Sequence, residues 1–255
     1  MVRKNLLKER LKKGENVIGT FIKSTDVTTV EVIGLCGYDF VIVDNEHTVM
    51  GKETMANILR IADAADMIAS VRIRETSEAQ IRQALDTGAM GVMVPMTSTK
   101  REVMDVVAYA KYAPMGVRGY SASHRAAAYG FMDAAEYARV ANQETMVACY
   151  CETKAAIDNL DEILTVEGLD IVFIGPFDLS QALGVTGNPS HPIVQNAIND
   201  IARKSRAAGK VAGTIASDPA QAKDLFSRGI QYVCMSSDIN MIAQLGKMYM
   251  KEIRA

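Results

Sequence analysis

The sequence predicts one (β/α)8 barrel, a TIM-barrel α/β fold, spanning residues 1–255 as a single domain. Three observations carry this expectation. Eight apolar, β-branched runs alternate with segments of helical periodicity, at about 32 residues per unit over the 255-residue chain. That length suits a barrel folded as one domain, and no Pro/Ser-rich linker divides it. No Gly-x-Gly-x-x-Gly follows the first strand, which disfavours the rival, an open doubly wound sheet.

The elements follow in order. MVRKNLLKERLKKGE is basic and lacks an apolar stretch followed by a small-residue cleavage site, so it reads as a short amphipathic helix and not as a signal peptide. Strands are expected at 17–22, 39–44, 68–73, 91–94, 146–152, 171–174, 211–214 and 232–235, each a short run bounded by turn or helix signals. Runs that are apolar throughout, such as FVIV, belong to parallel strands buried on both faces. Helices are expected at 26–36, 53–65, 77–87, 99–110, 153–164, 192–208, 219–228 and 238–252, with a short extra one near 132–141. Gly88, Gly209 and Gly229 each follow a helix and precede a strand, as helix-ending glycines do.

Composition narrows the function. A chain that is 49% hydrophobic and 23% charged has the means to bury a core. A net charge of -2 argues against a nucleic-acid or anionic-membrane partner, and no apolar run approaches the roughly 18 residues of a spanning helix. The cysteines at 36, 149, 151 and 234 lack metal-ligand spacing and read as reduced thiols, Cys149 and Cys151 sharing one strand face; a cytoplasmic protein is expected. Only His47, His124 and His191 can serve as an imidazole base.

A barrel keeps its chemistry at the carboxyl ends of its strands. The second strand ends in FVIVDNEH, which places Asp44, Glu46 and His47 at the rim, where a carboxylate can orient the imidazole or raise its basicity; a cap for the next helix is the plainer alternative. The third strand carries Ser70, Arg72 and Arg74 on one face. An arginine there needs an anion, either a substrate oxygen or a rim acid. Alternation on the fifth strand groups Ala148, Tyr150 and Glu152, opposite the cysteines. The sixth runs through Gly175 and Pro176 to Asp178, opening a short helix whose free N–H groups suit an anion. Glu152 and Asp178, on adjacent strands, make a hard-oxygen pair for Mg²⁺ or Mn²⁺. The Gly/Ala/Ser-rich segment 112–130 reads as an active-site loop and carries Arg118, Arg125 and His124, the second-choice base. His191, in NPSHP, reads as a helix cap.

These stretches resemble the metal-dependent (class II) pyruvate aldolases of the HpcH/HpaI family. The likeness rests on GYDFVIVDNEH (37–47), VRIR with QALDTGA (71–89), YAPMGVRG (112–119), ETKAAIDNLDEIL with VEGLDIVFIGPFDLS (152–180) and RAAGKVAG (206–213). The resemblance implies a (β/α)8 barrel that cleaves a 4-hydroxy-2-oxo acid, a 2-keto-3-deoxy sugar acid or a hydroxy-oxo diacid, to pyruvate and an aldehyde. It implies His47 as base, Arg72 as the enolate-stabilising group, and Asp86 and Asp44 as carboxylates that partner the histidine. Glu152 and Asp178 become ligands of Mg²⁺ or Mn²⁺, with Co²⁺ an alternative. Tyr150 and Phe177 replace a glutamine and an alanine common in the family and border the substrate pocket with Gly175, Asp178 and Arg72. It further implies a homo-oligomer, hexameric or trimeric, with the C-terminal helix exchanged between subunits. The rival readings are a CoA-thioester lyase of the citrate lyase β type and a keto-acid-binding barrel without turnover.

Overall fold

The computed structural model describes residues 2–255. The chain opens with helix α1 (Leu6–Lys12) and then alternates: β1 (Val17–Ile22), α2 (Thr28–Leu35), β2 (Phe40–Asp44), α3 (Lys52–Ala64), β3 (Ile68–Arg72), α4 (Glu78–Thr87), β4 (Gly91–Val94) and α5 (Lys100–Ala110). The second half holds α6 (Ala134–Glu144), β5 (Met146–Tyr150), α7 (Lys154–Asp158), α8 (Leu160–Ile163), β6 (Ile171–Ile174), α9 (Pro176–Ala182), α10 (Pro192–Ala207), β7 (Val211–Ala216), α11 (Pro219–Ser227), β8 (Tyr232–Ser237) and α12 (Asp238–Arg254). The strands pair in sequence order, and β1 also pairs with β8 in parallel, closing the barrel.

Side-chain alternation sorts the apolar residues into two cores. Phe21, Phe40, Ile42, Met93, Phe173 and Tyr232 fill the barrel, with Phe40 stacked on Tyr232 at 4.0 Å between ring centroids. Gly19 makes room for that stack: a Cβ there would lie 2.3 Å from the Phe40 ring. Leu7 and Leu11 of α1 pack into the same inner core. The other face of each strand packs on the helices, and here Cys149 and Cys151 lie side by side as free buried thiols. Burial pushes both thiols up to about 12, which keeps them protonated and unreactive.

The expected strands and helices form, with local differences. The third strand ends at Arg72, so Arg74 leaves the inner face and donates to the Asn45 carbonyl at 2.9 Å. The fifth ends at Tyr150, two residues before Glu152. The helix expected at 153–164 breaks at Asn159, whose side chain donates to the Ser98 carbonyl at 2.9 Å. His191 caps α10, its Nδ1 accepting from the Ile193 N–H at 3.2 Å. Gly88 ends α4 at φ 110°, a left-handed conformation that favours glycine.

Segment 112–130 folds against α4 and α6. Lys111, immediately before it, is buried and donates to the Asn142 and Thr145 carbonyls at 2.8 and 2.7 Å, satisfying the carboxyl end of α6. On α12 only Asp238 is buried, while Ile242, Leu245, Tyr249 and Ile253 are exposed. Among the described residues no helix is long and apolar enough to cross a membrane.

Candidate active site

A cavity of about 260 Å³ opens at the carboxyl ends of the strands. It is lined by His47, Arg72, Tyr150, Glu152, Gly175, Phe177 and Asp178 from the sequence reading, and by Phe21, Lys23, Ser236 and Asn240 besides. No residue of segment 112–130 is among its walls.

The β2 end supplies an electrostatic hub. Asp44 is fully buried and accepts the Glu46 and His47 backbone N–H groups at 3.1 and 3.2 Å, a turn that folds DNEH back over the barrel. Its two carboxylate oxygens take a forked pair from Arg72, Nε at 3.1 Å and Nη2 at 2.7 Å. Burial pushes the Asp44 carboxyl up, but the Arg72 hydrogen bonds and charge, the His47 N–H and Lys23 together hold it below its ordinary value. The third guanidinium nitrogen of Arg72 lies 3.2 Å from Glu46, and Glu46 lies 3.6 Å from His47 Nε2. Burial raises the Glu46 carboxyl despite Arg72 and His47 nearby. The guanidinium rests over the Phe21 ring at 4.8 Å.

Within one chain neither sequence-predicted partner stands beside the His47 imidazole. Asp44 faces Arg72, and the carboxylate beside the imidazole is Glu46. Asp86 sits on α4, where it pairs with Arg118 at 2.6 Å and lies 3.5 Å from His124. Within one chain Asp86 therefore belongs to the cluster under segment 112–130. His124 lies with it, held below its ordinary pKa first by burial, and neither residue lines the mouth cavity.

Across the cavity stands the acid pair. Glu152 is 3% exposed and accepts the Met96 N–H at 3.0 Å. Met96 holds a left-handed φ of 58°, a strained conformation of the kind found at functional sites. The other Glu152 carboxylate oxygen lies 1.9 Å from where a Cβ on Gly175 would be, so only glycine fits at the β6 end. Burial, with the Asp178 and Glu46 charges, pushes the Glu152 carboxyl up to about 8, against the Met96 N–H and Arg72, which lower it. Asp178 is exposed on the first turn of α9. Ser180 holds that turn, its hydroxyl donating to the Phe177 carbonyl at 2.6 Å and accepting from Gly187 N–H at 3.0 Å.

Two carboxylates and no thiolate or imidazole ligand make a hard-oxygen donor set. Among the described residues no group of three His, Cys, Asp or Glu converges on one point, so a cation at this pair would take its remaining ligands from substrate and water. The raised, buried Glu152 fits such a cation, whose charge would restore its ionised form.

Lys23 directly follows β1, so the strand-end rule applied there would have found it. Ser236 lies in β8 beyond the apolar run, which reaches two residues further than the hydrophobic pattern predicts. Asn240 sits on a helix and leaves no signal.

The profile of the HpcH/HpaI aldolase/citrate lyase family matches residues 17–244. The chain belongs to this family. It is 39% identical to a 2-keto-3-deoxy-L-rhamnonate aldolase of Salmonella gallinarum over 92% of this chain and 87% of that protein. An HpcH/HpaI aldolase from Desulfitobacterium hafniense superposes with a TM-score of 0.92 at 29% identity, covering 97% of this chain and 96% of the other. The citrate synthase SbnG superposes with a TM-score of 0.89, also at 29% identity, covering 97% of both. The protein is a carbon–carbon lyase, of a family generally dependent on a divalent metal.

Proposed function

We propose that the protein is a 2-keto-3-deoxy sugar-acid aldolase, splitting a 4-hydroxy-2-oxo acid reversibly into pyruvate and an aldehyde. The observation that carries this reading is one cavity walled by the acid pair Glu152 and Asp178, with Arg72 and His47 facing it. Glu152 and Asp178 would hold Mg²⁺ or Mn²⁺, with Co²⁺ an alternative. The cation supplies a Lewis acid for the keto group and a counter-charge for the carboxylate.

The chain's own groups supply the rest. His47 takes the proton of the 4-hydroxyl, directly or through water. The C3–C4 bond then breaks: its electron pair passes into the 2-oxo unit as an enolate, and C4 leaves as the aldehyde carbonyl. Arg72 meets the enolate charge, and protonation at C3 completes pyruvate. Asp44 fixes Arg72 in place, and Glu46 sits within reach of both Arg72 and His47. Tyr150, Gly175 and Phe177 shape the pocket. We assign the apolar face of α12 to a second copy in a hexamer or trimer, and the reduced thiols to a cytoplasmic setting.

The test is aldol cleavage followed by mass spectrometry before and after EDTA. Pyruvate release that stops on chelation and returns with Mg²⁺ or Mn²⁺ is the expected result. Full activity after thorough chelation would overturn the metal role of Glu152 and Asp178.

A further inference from the structure

A second cavity, of about 250 Å³, adjoins the first on its β7–β8 side and shares Pro176, Phe177, Ile215, Ser236 and Asn240 with it. Phe177, 61% exposed, forms part of both walls. The arc opposite the acid pair consists of Lys23, Ser236 and Asn240, and it is firmly built. Asp238, 2% exposed, accepts the backbone N–H groups of Lys23 and Ser24, each at 2.9 Å, and so ties the end of β1 to the start of α12. Ser237 caps α12 by accepting the Asn240 N–H at 3.3 Å. Ser236 is 6% exposed and held at φ 52°, a conformation unfavourable for a residue with a Cβ. The side chains of Ser236 and Asn240 carry no hydrogen bond from any described residue. The Lys23 amine lies 3.4 Å from Asp44, whose two oxygens Arg72 already occupies.

We infer that Lys23, Ser236 and Asn240 form a subsite for the hydroxylated tail of the substrate, which crosses the Phe177 ring into the second cavity. This rests on the aldolase reading and names which aldehydes the enzyme takes. A hydroxyl and an amide read alcohols, as both donor and acceptor. A phenyl face suits the C–H side of a polyol, and the one cation of the arc is already paired with Asp44. The tail is therefore polyhydroxylated, neither plain alkyl nor a second carboxylate.

The experiment compares kcat/KM for pyruvate addition to glyceraldehyde, propanal and succinate semialdehyde, in the intact enzyme and in Asn240→Leu and Ser236→Gly. Deuterium exchange at C3 of pyruvate, which needs no aldehyde, is followed alongside by NMR. Glyceraldehyde should be the preferred acceptor. Its advantage over propanal should shrink about 3–10-fold in each polar variant, the effect of one lost hydrogen bond, with exchange retained. Ser236→Gly should also keep or raise the melting temperature, because glycine relieves the left-handed backbone, so a loss of selectivity there is not misfolding. A ratio unchanged in both variants with exchange intact would overturn the subsite alone, as would preference for succinate semialdehyde. No exchange and no product in the intact enzyme would overturn the aldolase reading and the subsite with it.

Discussion

Arg72 is the residue on which the mouth of the barrel turns. It spans two carboxylates, covers Phe21 and faces the cavity, so its charge is held at a fixed point with little freedom to reorganise. Loss of a charged oxyanion donor costs roughly 10²–10³ in rate; steady-state kinetics of Arg72→Ala should show that fall in kcat. Lys at this position should restore little, because a single ammonium cannot fork to Asp44 and reach Glu46 together. Asp44→Asn tests the other half of the pair. It leaves buried Arg72 with Glu46 alone as counter-charge and should cost up to about 3–5 kcal/mol in denaturant unfolding near pH 7. The folded carboxyl titrates below its unfolded value, so this stabilisation is present above a pH of about 4 and lost as the pH falls through the folded pKa. The gap between the two proteins should accordingly close in acid.

At the scale of elements, the turn from β6 into α9 has one job for each of its residues. Gly175 leaves space for the Glu152 carboxylate, Pro176 starts the helix, Asp178 reaches the cavity and Ser180 fastens the following loop. Gly175→Ala should push Glu152 aside and weaken Mn²⁺ binding about 10–100-fold by calorimetry, the range for disturbed support around a ligand, while circular dichroism stays unchanged. This turn also shows how far a sequence can be read. Eight strands, their order and the rim carrying Glu152, Asp178 and Arg72 follow from period and position, because parallel-barrel strands are continuously apolar and end in polar residues. The partner of His47 does not follow. Asp44, three residues away, turns inward to a guanidinium 28 residues on, and Glu46, directly before His47, takes the place beside the imidazole. Asp86 likewise meets Arg118, 32 residues away, through a segment whose path no periodicity encodes. Pairings of this kind depend on how loops pack, and spacing along the chain carries no trace of them.

For the whole molecule, binding a cation at the acid pair should stabilise the native state alone. At one hundred times the dissociation constant that linkage is worth about 2.7 kcal/mol, visible as a rise in melting temperature with Mn²⁺ that Glu152→Gln abolishes; a rise of equal size in that variant would place the cation elsewhere. The barrel interior is filled below the cavity, by the stacked Phe40 and Tyr232 rings and by Leu7 and Leu11 entering from α1. Traffic through the molecule is thereby one-ended. On the proposed reading, with pyruvate held at the acid pair, the aldehyde would clear the mouth before pyruvate leaves. The packing of a helix at the bottom of the fold would thus bear on the order of product release at the top.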